Sequence, residues 1–249
     1  MKNQSKLDAC KKGKLYQVSL LQGLTYGDYH GSVTIEELCK NGDTGLGTFD
    51  RLNGELVLLD GEVYRVAGDG SVELVLTDES TPFAVATYIS DDFTEELREI
   101  VNIDMLQEKL QEIVETRGRN RFYMIRIDGF FKEINARSVP AQTEPYRPLV
   151  DVLEMEQTFF NHEDVEGSVV GLYCPPYMSY LNAVGWHMHF ISKDRTKGGH
   201  LLGINVSHAT LRLCDIDALD LRLPPNESFH LFDLSVDQTK NIEKVEKNT

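Results

Sequence analysis

Three of the seven histidines in this 249-residue chain, His187, His189 and His200, fall within a single stretch of 14 residues. The stretch reads Gly185-Trp-His-Met-His-Phe-Ile-Ser-Lys-Asp-Arg-Thr-Lys-Gly-Gly-His200. In a strand, successive side chains point to opposite faces. His187 and His189 then share one face, while Trp186, Met188 and Phe190 share an apolar layer behind it. The polar, glycine-rich segment 192–199 reads as a hairpin loop, and His200 opens the returning strand. A register such as Ile191 opposite Gly198 puts all three imidazoles on one face. Three neutral imidazoles with no fourth ligand beside them form the donor set of an open metal site, best suited to Zn²⁺, with Fe, Ni and Cu as alternatives. His30, His162, His208 and His230 have no such neighbours and read as surface or core histidines. The His-x-His pair lacks the following glutamate of cupins, and its third histidine lies closer than in α-class carbonic anhydrases.

The elements that must position this site are mostly strands. Thr34-Ile-Glu-Glu37 has capping-box spacing and opens a short helix through Cys39. Period-two segments follow at 47–50, 55–59, 62–66 and 72–76, with hairpin chemistry at Asp60-Gly61 and Asp69-Gly70. Residues 83–89 form a buried strand. Residues 94–116 read as the clearest helical stretch, with a break near Asn102–Asp104 and Leu106, Leu110, Ile113 and Val114 on one stripe. Strands resume at 121–127, turn at Asp128-Gly129 and return over 130–139, and 140–148 reads as a proline-containing linker. The second half reads as strands at 152–160, 167–174, 185–191, 200–206, 209–214 and 229–233, ending in a helical tail from Asp237. These elements predict an α+β protein of two closely packed domains, built mainly on antiparallel or mixed sheets with a few helices. Residues 1–145 form the first, with helices, and 146–249 the second, carrying the metal site and a tail that returns to it.

Composition limits the function classes. Forty acidic against 25 basic side chains give a net charge of −15. Five lysines in residues 1–14 face only Asp8, so the rest of the chain is more acidic still. Nucleic acid, which needs cations to displace counterions, is therefore not an expected partner. The basic start is not followed by a secretory apolar region, and no run is long enough to span a membrane. Cys10, Cys39, Cys174 and Cys214 are scattered and fit reduced thiols of a cytoplasmic protein.

Several blocks, in order, carry a family resemblance. They are Gly23-Leu-Thr-Tyr with Gly27-Asp-Tyr, Gly45-Leu-Gly-Thr-Phe-Asp-Arg-Leu-Asn-Gly-Glu-Leu, Asp60-Gly-Glu-Val-Tyr and Thr81-Pro-Phe-Ala, followed by Ala136-Arg-Ser-Val-Pro, Gln142-Thr-Glu-Pro-Tyr and Gly185-Trp-His-Met-His-Phe-Ile. From about residue 15 onward the chain resembles α-acetolactate decarboxylases. The resemblance implies a cytoplasmic, homodimeric bacterial enzyme converting anionic 2-acetolactate to acetoin and CO₂ with bound Zn²⁺, in two α/β domains with the metal in the second. It implies that Glu55 reaches the site from the first half and that a second glutamate, Glu246 rather than Glu243, comes from the tail. It also implies that Arg137 is an active-site arginine and that Thr48 offers a hydroxyl close to the ligand. By themselves Glu55 and Thr48 would read as strand residues and Arg137 as a strand-end surface residue.

The chemistry is coherent. Loss of CO₂ from a β-keto acid leaves an electron pair that a metal ion can stabilise as an enediolate. Either glutamate can serve as acid or base, and an arginine can hold a carboxylate through two parallel hydrogen bonds. Two other functions compete: another zinc lyase or hydrolase acting on a small carbonyl or carboxylate, and a non-enzymatic metal-dependent binding protein. Structural zinc sites are usually closed and favour cysteine, and no cysteine lies in the cluster.

Overall fold

A computed structural model describes residues 12–76 and 78–247. The chain starts with β1 (Lys14–Val18), α1 (Leu21–Thr25), β2 (Val33–Thr34) and α2 (Ile35–Cys39). Next come β3 (Thr44–Thr48), β4 (Glu55–Leu59), β5 (Glu62–Val66), β6 (Val72–Leu74), β7 (Ser80–Thr81) and β8 (Ala84–Thr87). The middle holds β9 (Phe93–Ile100), α3 (Ile103–Arg117), β10 (Phe122–Ser138) and α4 (Leu149–Glu156). Then follow β11 (Thr158–Cys174), β12 (Gly185–Ser192), β13 (Gly198–Ile216), β14 (Ala218–Arg222), α5 (Glu227–Leu231) and α6 (Thr239–Lys247). Lys2, Lys6, Cys10 and Lys11 lie outside the described residues.

The strands form two large sheets and a small β2–β7 pair. The first has seven strands in the order β14-β1-β8-β3-β4-β5-β6, and only β14 joins in parallel, against β1. The second has the order β10-β11-β12-β13-β9, and β13 also pairs with β10, so β10, β11, β12 and β13 close into a circuit. This is the expected α+β architecture on antiparallel and mixed sheets. Sheet membership crosses residue 145, however. Strands β9 and β10 precede the proline-containing stretch yet belong to the second sheet, and β14 returns to the first.

The hairpins form where turn chemistry places them. Asp60 and Gly61 both hold positive φ between β4 and β5, as a two-residue hairpin requires. Thr34 caps α2, its side chain accepting from the Glu37 amide. The α3 stripe of Leu106, Leu110, Ile113 and Val114 packs on the second sheet against residues such as Leu97 and Leu211. Each such side chain contributes on the order of 1.5–3 kcal/mol by leaving water. A separate cluster joins the two sheets, with Leu46 and Val57 of the first meeting Met124, Val170 and Ile191 of the second.

Four local expectations are corrected. Residues 94–100 are strand rather than helix: Leu97 and Ile100 fit a helical stripe equally well, but the open edge of β13 supplies the backbone partners. The helix begins only after Asn102, whose side chain accepts from the Met105 amide. Asp128-Gly129 does not turn but lies inside continuous β10, Asp128 opposite Ser168 and Thr210 and Gly129 opposite Gly167 and Ala209. Residues 152–156 are helical, because Leu149, Val152 and Leu153 bury one face at spacings of three and four, and that outweighs the strand preference of Val152. Residues 229–231 likewise belong to α5, capped by Asn226.

Candidate active site

The β12–β13 hairpin adopts the register that clusters the histidines. Ile191 pairs with Gly198, Phe190 with Gly199 and His189 with His200. One strand further, His200 pairs with Arg137 of β10. Residues directly opposite one another in a sheet share a face, so His189, His200 and Arg137 form one row across three strands. His187 lies two residues along on the same side. Gly199 makes this possible: its φ is +137°, and a Cβ there would lie 2.6 Å from the Arg137 carbonyl oxygen. Met188 and Phe190 point the other way, into the core beneath α3, with Trp186 packed against it.

One ligand nitrogen from each of the three imidazoles lies within 4.8 Å of the others, and all three rings are buried. Burial, reinforced by the nearby Arg137 charge, pushes His187 down to about 3. Burial and neighbouring His187 hold His189 well below the usual range, against a hydrogen bond to the Leu56 carbonyl. That bond, 2.9 Å from His189 Nδ1, must be donated by the ring because a carbonyl only accepts. In neutral His189 the Nε2 atom therefore carries a lone pair. His187 Nε2 is 3.1 Å away and a Glu55 carboxylate oxygen 3.4 Å away. Lone pairs from a neutral imidazole and a carboxylate converge stably around a cation, so the donor set fits a divalent ion.

The first sheet supplies the facing wall. Thr48 of β3 pairs directly with Glu55 of β4, and the Thr48 hydroxyl donates to the Gly54 carbonyl at 2.8 Å. The short 3₁₀ turn between them carries Arg51 and Leu52 at φ of 61° and 56°, left-handed backbone costing roughly 1–2 kcal/mol per residue. It places Leu52 against a cavity of about 420 Å³, mouth included, which Thr48, Glu55, Arg137, His187 and His200 also line. The remaining wall is Gly47 and apolar side chains from α1 and α4, with Phe83, Val139 and Val245 of α6.

Arg137 is only 3% exposed. Its Nη1 donates to the Gln157 side-chain oxygen at 3.0 Å, and its Nη2 donates to the Val245 carbonyl of α6. The tail thus reaches the site through its backbone, and Ile242 and Val245 are buried in the cluster beside the cavity. The side chains of Glu243 and Glu246 lie outside the described residues. Gln157 and the Leu56 carbonyl are site groups that sequence reasoning missed, because neither carries a motif. The only local hint is that Leu56 follows Glu55; Gln157 lies within the stretch that the sequence reads as a strand over 152–160, and only the structure shows a helix ending there.

Residues 15–236 match the family model described as alpha-acetolactate decarboxylase. The chain belongs to that family. It is 38% identical to the alpha-acetolactate decarboxylase of Raoultella terrigena, over 90% of this chain and 85% of that one. It is 36% identical to the Methanosarcina mazei protein of the same name, over 94% of this chain and 80% of that one. The crystal structure of alpha-acetolactate decarboxylase from Bacillus subtilis strain 168 superposes with a TM-score of 0.89 at 34% identity, covering 94% of this chain and 99% of that one. Among the described residues of this family member, no helix is long and apolar enough to cross a membrane.

Proposed function

We propose that the chain is a zinc-dependent carboxy-lyase that converts 2-acetolactate to acetoin and CO₂. The observation that carries this reading is the row of His189, His200 and Arg137 on one sheet face, a cation site beside an anion-binding group in one small cavity. His187, His189 and His200 would hold the ion. When bound, it supplies a Lewis acid for the substrate's ketone and for the charge left as CO₂ departs.

The protein's own groups do the rest. Arg137 binds the substrate carboxylate, its guanidinium permanently charged even when buried. Leu52 and the walls from α1 and α4 exclude water from the reacting carbon. Thr48 presents its hydroxyl oxygen to the ligand. Glu55, opposite Thr48 and next to the imidazoles, holds the proton at its carboxylate oxygen that is delivered to the carbon losing CO₂. A glutamate of α6, Glu246, is the second acid–base candidate. The working unit in this reading is a cytoplasmic homodimer, supported by the family resemblance.

Purified, zinc-loaded protein given racemic 2-acetolactate should release CO₂ and accumulate acetoin. No acetoin from metal-replete, folded protein would end the assignment.

A further inference from the structure

We infer that Gln157 is a positioning residue that sets the plane of the Arg137 guanidinium for the substrate carboxylate. This rests on the reading of Arg137 as the carboxylate anchor. Two-point recognition of a carboxylate requires the guanidinium to lie in its plane, so a buried arginine must be held against rotation. Two hydrogen bonds to different nitrogens do this: Gln157 Oε1 takes Nη1 at 3.0 Å, and the Val245 carbonyl takes Nη2. Both acceptors are neutral oxygens, so neither cancels the positive charge that must attract an anion within a chain of net charge −15. A carboxylate in place of Gln157 would compete with the substrate.

Gln157 is itself held by its surroundings. It is the residue that ends α4, in extended conformation at φ −67° and ψ 144°. Its neighbour Glu156 accepts from Gln142 Nε2 at 2.8 Å and from Arg147. Gln142 is 5% exposed, and its backbone amide donates to the Arg51 carbonyl at 2.7 Å, in the turn that carries Leu52 to the cavity. The turn, the proline-containing stretch and the end of α4 are thus joined into one support for the side chain that grips Arg137. Glutamine is suited to that place by length as well as charge, since the amide must reach β10 from the end of a helix.

The test is a double-mutant cycle on the metal-loaded enzyme, reading KM and kcat separately for 2-acetolactate, with metal content and thermal melting as controls. Gln157→Met keeps the length and loses the acceptor, whereas Gln157→Asn keeps the amide and loses the reach. Both should raise KM about tenfold with kcat within about threefold, the equivalent of losing one hydrogen bond to a charged group. Neither should raise KM further in an Arg137→Ala background. A packing role would instead be served by Met and fail in Asn, so a split between the two overturns the inference. So does an equal KM increase in both backgrounds while Arg137→Ala itself raises KM. If Arg137→Ala leaves KM unchanged, the anchor reading falls, and the inference with it.

Discussion

His189 Nδ1 donates to the backbone carbonyl of Leu56, 2.9 Å away, so a strand of the first sheet fixes the tautomer of an imidazole on the second. The bond points Nε2 at His187 and Glu55. Replacing the Leu56 side chain would not delete it, because the acceptor is main chain. The two sheets must therefore be docked before the donor set is complete.

Elemental analysis should find about one zinc per chain, and chelation should abolish acetoin formation until zinc is returned. His189→Ala should reduce bound metal to below roughly a tenth of that in the unaltered protein, since it removes one of the three converging imidazoles. Fully active protein free of metal would refute both statements.

Arg137→Ala should lower kcat/KM by about 100-fold, as expected for a buried charged pair that is left half-made. Lys193→Ala, in the exposed hairpin loop where Lys193 pairs with Glu166, should stay within about twofold. Equal losses in steady-state assays would show that the carboxylate is bound elsewhere.

Burial raises the Asp28 carboxyl above its usual value, opposed by hydrogen bonds from Ser228 and Asn226. The folded state then binds this proton more tightly than the unfolded chain, so stability falls as pH rises from the ordinary carboxylate range through the raised value. Asp28→Asn keeps an oxygen for both donors and removes the buried charge. Its melting temperature should exceed that of the parent by roughly 2–4 °C at about pH 7, with the gain vanishing as the pH falls into the ordinary carboxylate range. A lower melting temperature at neutral pH would contradict this.

A Cβ on Gly129 would lie 2.4 Å from that of Ala209 and 2.4 Å from the His208 carbonyl. Gly129→Ala should therefore force β10 and β13 apart and cost about 2 kcal/mol or more, measured as a fall in the urea midpoint. An unchanged midpoint would mean the strands yield freely there.

The histidine cluster was legible because strand periodicity is local: His187 and His189 share a face by count alone, and the short hairpin loop between β12 and β13 limits where His200 can land. The N-cap at Thr34 and the Asp60-Gly61 turn were legible for the same reason. Asp128-Gly129 misleads because its turn chemistry is overridden at long range. Burial opposes ionisation of Asp128, but hydrogen bonds from Ser168, Arg126 and Arg212 outweigh it and hold the carboxyl below its usual value inside a continuous strand. Val152 misleads because its partners, Leu149 and Leu153, reveal a helical face only against the cavity wall. Gln157 has no signature at all, since its role exists only where the end of α4 meets β10. Glu55 and Arg137 were found through family blocks rather than through their spacing.

The parallel pairing of β1 with β14 joins residues 14–18 to residues 218–222. During synthesis, β1 can meet β8 early, but its other edge stays open until the C-terminal strand has emerged. Such an unpaired edge invites pairing with another chain, and contacts of such long sequence separation slow folding. For a growing chain, the last strand is what seals the first, and production at high concentration will be most exposed to aggregation in the interval before it arrives.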